Sequence, residues 1–251
     1  MTVRSWSPSR RRTASPSPRF RHSLPAVIVV PTLLLAASVG APPLAAQQTT
    51  PVEHATTEPA VDEAYTAAIR EHTTEDFFLT PLVDHLPASE TVPSPMDFFG
   101  TAAGAPDVLH YPEEIHAYMR AVAEASPRVE VFGMGETEEG REMILVVVGD
   151  EATIADLDGT KERLRRLGDP RITGAEEAER ILETTKPIYW ATGAIHSPET
   201  GSPEMLPELI YRLATGESEY VRAIRDGVIF MATPVVEVDG RAKQVDLHMA
   251  Q

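Results

Sequence analysis

The sequence predicts an α/β domain: a mixed parallel and antiparallel sheet with helices on both faces. Three observations lead there. The runs Arg128 to Gly133 and Arg141 to Val148 are apolar and joined by a short polar link, so they pair antiparallel. The runs Pro187 to Ile195 and Gly227 to Val235 are also apolar, but helical sequence separates them, and such a crossover makes them parallel. Stretches with apolar residues at helical spacing fill the intervals, and helices so placed cover the faces of a sheet.

Taken in order, residues 1–46 read as a secretory signal peptide. They carry Arg4, Arg10, Arg11, Arg12, Arg19 and Arg21 and no acid, then the apolar run Leu24 to Val39, then a small-residue cleavage zone at Ala45-Ala46. Pro25 and Pro31 break the run, which is short for a membrane span. The expected location is secreted or periplasmic, with no stable membrane span after cleavage. Six of the 22 basic residues leave with this segment and all 38 acidic ones stay, so the remainder carries a net charge of −22. A surface that acidic repels phosphate backbones and argues against a nucleic-acid partner. With no cysteine there are no disulfides, thiol nucleophiles or Cys-bound metals.

Residues 47–104 are expected to form a polar lead-in to Pro59, a short helix over Val61 to Arg70, and an irregular Phe-rich segment over Thr74 to Gly104 that wraps the domain. Residues 105–251 hold the sheet. A helix is expected over Pro112 to Ala125, with Pro112 at its first position and Ile115, Tyr118, Met119 and Val122 facing the core. His110 and His116 near its start read as surface histidines. The hairpin link Gly135-Glu-Thr-Glu-Glu-Gly-Arg141 is polar. One charged helix is expected over Glu151 to Leu167, and another to about Thr184 behind a Thr173-x-x-Glu176 capping box. Pro187 to Ile195 reads as a buried central strand. Ser202 and Pro203 supply an N-cap and first-turn proline for a helix made amphipathic by Met205, Leu206, Leu209, Ile210 and Leu213. A further helix, Ser218 to Arg225, precedes the last apolar run.

The central run ends in Gly193-Ala-Ile-His196-Ser-Pro-Glu199. Residues three apart on a straight strand point to opposite faces. His196 and Glu199 converge only if the chain turns, and Pro198 favours a turn. Together they make two thirds of a His/Glu/His zinc site. The plainer reading is a strand-end histidine and an acid attracted to the next helix's N-terminus. Their place raises the metal reading above chance: ligands of such sheets sit at the C-terminal ends of strands, where Val236 to Arg241 also lies.

From about Tyr111 to Gly240 the chain resembles the zinc carboxypeptidases, or metallocarboxypeptidases. Three motifs carry the resemblance: Gly135 to Arg141 leading into an apolar strand, Gly193-x-x-His196-x-x-Glu199, and Pro234-x-x-x-x-Asp239-Gly240. The resemblance implies that His196 and Glu199 are the first two ligands of one zinc ion, that the reaction is hydrolysis of a peptide or protein substrate, and that residues 105–251 are part of the catalytic domain. Pro198 stands where the family often has arginine, and Glu237-Val238 where it usually has Asn-Pro. In the family the second histidine ligand, the carboxylate-binding arginines and the catalytic glutamate come later, so all are expected beyond Gln251. His248 is not expected to be the third ligand. The chain alone is then expected to be inactive, and its last strand to have an open edge. A zinc amidase or deacylase acting on small N-acyl substrates, or a metal-free binding module, are the alternative readings.

Overall fold

The structure, a computed structural model, describes residues 60–250, so the expected signal peptide over 1–46 and the lead-in to Pro59 lie outside the described residues. Helix α1 (Glu63–His72) starts at Asp62, whose side chain accepts the Tyr65 N–H at 2.9 Å. The Phe-rich segment is irregular apart from one 3₁₀ turn at Asp76–Phe78 and the short helix α2 (Pro95–Phe99). It is tied down unevenly. Leu86 and Val92 are buried, and Pro87 and Pro93 carbonyls accept the hydroxyls of Tyr211 and Tyr118, yet Phe77 and Phe78 remain exposed.

Helix α3 (Pro112–Ala125) has the expected bounds and buries Ile115, Tyr118, Met119 and Val122 completely. His116 is buried as well, at 5 % exposure, against the expectation of a surface position. It lies on α3 beside Ile115, on the side turned toward the sheet and Val238. Strand β1 (Val129–Glu136) then pairs antiparallel with β2 (Glu142–Val148), with a bulge between Gly133 and Gly135.

The charged segment that follows is two helices, α4 (Glu151–Ala155) and α5 (Leu157–Leu167), rather than one. Asp156 breaks it: its N–H closes α4 on Ala152, and its carbonyl opens α5 by accepting the Thr160 N–H. Helix α6 (Ala175–Thr184) lacks the expected capping box, because the Thr173 hydroxyl donates instead to the Arg166 carbonyl at 2.6 Å. After β3 (Ile188–Thr192), helices α7 (Gly201–Thr215) and α8 (Glu219–Gly227) cross over to β4 (Ile229–Thr233). The sequence reading missed a final helix, α9 (Val238–Met249).

The sheet order is β1-β2-β4-β3, with β2 antiparallel to β4 and β3 parallel to it. One face, bearing Val129, Ile144, Val146, Val148, Phe230 and Ala232, packs with residues of α3 and α7 into a single core. On the other face α5 brings the Lys161 ammonium over the Phe132 ring, 4.7 Å from its centroid. Two expectations are corrected here. β3 is an edge strand, not a central one, and Tyr189 and Trp190 are more than half exposed. The last strand, β4, lies inside the sheet, and among the described residues the edges belong to β1 and β3. The cause is pairing: β4 has strands on both sides and β3 on one.

Candidate functional site

The parallel pairing of β3 and β4 brings two loops together at their C-terminal ends. The Gly193 N–H donates to the Thr233 carbonyl, and the Val236 and Glu237 N–H groups donate to the Gly193 and Ala194 carbonyls, all at 2.9–3.0 Å. Gly193 is required by proximity, since a Cβ there would collide with the Pro234 carbonyl oxygen and a Leu206 methyl. Ala194 follows with φ +45° and is almost fully buried. A left-handed conformation costs a non-glycine residue roughly 1–2 kcal/mol. The surroundings hold it there: its N–H donates to Ser202 Oγ at 3.0 Å and its carbonyl accepts from Glu237. Ser202 is therefore not the N-cap of α7, a place taken by Thr200.

Beyond Ala194 the chain comes out to solvent and turns. The Glu199 N–H donates to the His196 carbonyl at 3.0 Å, closing a turn through Ser197 and Pro198. His196 and Glu199 are thereby brought together, with His196 Nδ1 2.7 Å from Glu199 Oε1. Glu199 Oε2 accepts the His196 N–H at 3.2 Å. The bond from the His196 side chain, with this backbone bond behind it, holds the Glu199 carboxyl below the usual carboxylate range. Both side chains are accessible, so the pair stands on an open surface. A cavity of about 530 Å³ begins next to it, at Thr200 and Gly201, and runs to Gln244 and His248.

An imidazole nitrogen and a carboxylate oxygen facing each other are donors of the kind zinc takes. Among the described residues no group of three His, Asp or Glu side chains gathers to hold a metal ion. His248 is not a third member: its Nε2 lies 3.1 Å from the Asp107 carbonyl. His110 is not one either. Its Nδ1 meets Glu204 Oε2 at 2.6 Å, and Glu204 also binds the guanidinium of the fully buried Arg241. This trio, with Glu204 and Arg241 buried and His110 half-buried, ties the start of α3, α7 and α9 together.

Arg141, Glu237 and Asp239 stand in stretches that the sequence reading already singled out, but the bonds that join them around the pair escaped it. The Ser197 hydroxyl donates to Glu237 Oε2 at 2.7 Å. Asp239 accepts from the Thr137 hydroxyl at 2.8 Å and from Arg141 Nη1 at 2.9 Å. The hairpin, the His196 loop and the start of α9 thus meet in one place. These partners are far apart in sequence, and no local pattern announces them.

A sequence model of the zinc carboxypeptidase family matches residues 115–246, which include all of these groups. Similar solved structures include a carboxypeptidase A from Helicoverpa armigera, at 19% identity over 55% of this chain and 27% of that one, with a TM-score of 0.40. Another is a metallo-carboxypeptidase from Burkholderia cenocepacia, at 22% identity over 53% of this chain and 28% of that one, with a TM-score of 0.38. A third is bovine thrombin-activatable fibrinolysis inhibitor in complex with tick carboxypeptidase inhibitor, at 18% identity over 55% of this chain and 34% of that one, with a TM-score of 0.37. The chain spans about a quarter to a third of the length of these structures. No curated protein matches it.

Proposed function

The chain belongs to the zinc carboxypeptidase family, and on that premise we propose that His196 and Glu199 are two donors of a zinc site that serves the hydrolysis of peptide bonds. The family supports peptidase-type hydrolysis. The observation that carries the assignment to these residues is the 2.7 Å approach of His196 Nδ1 to Glu199 Oε1 at the C-terminal end of β3.

Each residue has a definite part. Glu199 is an anionic donor at neutral pH, because its carboxyl is held below the usual range. Its Oε2 is anchored on the His196 N–H, which leaves Oε1 to face the imidazole. His196 must offer a lone pair at Nδ1, and a divalent cation can replace the proton that Nδ1 and Oε1 share. Zinc bound there would polarise a substrate carbonyl and lower the pKa of a bound water. Two donors are one fewer than the three that a catalytic zinc site draws from its protein. These residues by themselves are therefore expected to bind zinc weakly and to turn over little peptide. The substrate we propose is a peptide or protein, and the arginine-rich start with its apolar run supports a secreted or periplasmic location.

Zinc competition against a chromophoric chelator tests the reading on the full chain. Wild type should bind one zinc ion, and His196→Ala should lose that binding. Equal affinity in the two proteins would overturn the assignment.

A further inference from the structure

Glu237 occupies the position from which one side chain can reach both α9 and the His196 loop. It is the N-cap of α9, and its Oε1 accepts the Gly240 N–H at 3.0 Å. Its second oxygen, Oε2, accepts the Ser197 hydroxyl at 2.7 Å. Ser197 is adjacent to His196 and two residues from Glu199. We propose that Glu237 is a positioning residue: through Ser197 it fixes the loop that presents His196 and Glu199. Its bearing on zinc rests on those two residues being ligands.

Three further observations support this. First, Ser197 is half-buried while Ile195, His196, Pro198 and Glu199 are exposed, so the hydroxyl is the inward anchor of an otherwise solvated turn. Second, Gly240 leaves room for the contact. A Cβ at that position would fall on the Glu237 carboxylate and on the Ser197 hydroxyl. The glycine of Asp239-Gly240 is thus explained by the seat it provides, and not by its backbone angles. Third, the anchor is itself immobilised. The Glu237 N–H donates to Ala194, Asp239 is bound by Thr137 and Arg141 of the hairpin, and the helix N-terminus favours the Glu237 carboxylate. The loop is short of support without it, since the turn bond within residues 196–199 orients the pair internally but does not attach it to the domain.

A ligand held in place before the ion arrives binds it more tightly, and removing such a support typically weakens metal affinity by about 10–100-fold. Ser197→Ala is the clean variant, because it deletes the link and leaves the cap of α9 intact. Two readouts are taken on the full chain: amide hydrogen exchange over residues 195–200 without metal, and zinc affinity by competition. Ser197→Ala and Glu237→Ala should both speed exchange in that loop. Both should weaken zinc by about tenfold, and the double variant should be no worse than Glu237→Ala. Glu237→Gln, which keeps an acceptor for the hydroxyl, should preserve the slow exchange. Unchanged exchange and unchanged affinity in Ser197→Ala, with wild type binding zinc through His196, overturn the inference and leave the zinc assignment standing. If wild type binds no zinc through His196, the assignment fails, and exchange alone decides: faster in Ser197→Ala supports the positioning role, unchanged overturns it.

Discussion

Strands β3 and β4 are nearly the same sequence. Ile188-Tyr-Trp-Ala-Thr192 lies beside Ile229-Phe-Met-Ala-Thr233, paired residue for residue in parallel register. Their fates differ. Phe230 is 6 % exposed, and its partner Tyr189 is 63 % exposed. Apolar composition gives both strands the propensity to join a sheet, but it does not decide which one is buried. That depends on neighbours. β4 sits between β2 and β3 and faces α3 and α7 across the core, while β3 has one strand beside it. The candidate metal loop springs from the less supported strand, and it is held largely by bonds to the chain that follows the better supported one.

Truncation at paired positions gives the largest separation. Phe230→Ala removes a buried ring from the core and should cost about 3–5 kcal/mol. Tyr189→Ala removes a ring that is mostly in water, stacked on Phe230 at 5.9 Å, and should cost about 1 kcal/mol. Urea unfolding of both variants measures the gap. Equal losses would mean that β3 is buried in solution.

The same contrast holds between two histidines. His196 is exposed, and His116 is buried with its Nε2 unpartnered. Burial pushes the His116 pKa down from 6.5 to about 4, against the pull of Glu142 and Glu113. The unfolded chain then binds a proton that the native state refuses. Stability from this group is full above pH 6.5 and falls as the pH drops to about 4. At 1.36 kcal/mol per pKa unit the loss amounts to about 3 kcal/mol. His116→Leu should flatten the fall in a series of denaturation curves across that window, whereas His196→Ala should leave it in place. A slope that survives His116→Leu would assign the acid sensitivity to other groups.

What was legible in the sequence was local. Helix α3 has both expected ends because a first-turn proline and 3.6-residue spacing are written within the segment. The strand pairings followed from link lengths, and the meeting of His196 and Glu199 followed from a turn at Pro198. The failures had remote causes. Thr173 and Ser202 are good capping residues whose hydroxyls are claimed by Arg166 and Ala194. Helix α9 was missed because charged and polar residues interrupt its apolar positions, and Val238, Ala242 and Val245 find their places only against the rest of the domain. The burial of His116 and the exposure of β3 depend on which elements arrive beside them. The Ser197–Glu237 and Arg141–Asp239 bonds join residues 40 and 98 apart.

The smallest change in stability tests the β3 edge itself. Ile188 and Ile229 are register partners, 45 % and 3 % exposed. A lysine at 188 keeps its charge in water and should change stability by no more than about 0.5–1 kcal/mol, whereas Ile229→Lys must bury an ammonium and should cost several times that. The milder variant has a second effect. β3 offers five uncharged residues whose outer backbone groups no described strand pairs, and such an edge templates pairing with another chain. Wild type should therefore self-associate as concentration rises, and Ile188→Lys should suppress it, because a charge on an edge strand opposes the approach of a second copy. Sedimentation velocity over a concentration series reads this directly. If wild type stays monomeric throughout, the edge is covered in solution, and the contrast between the two strands is smaller than their exposures imply.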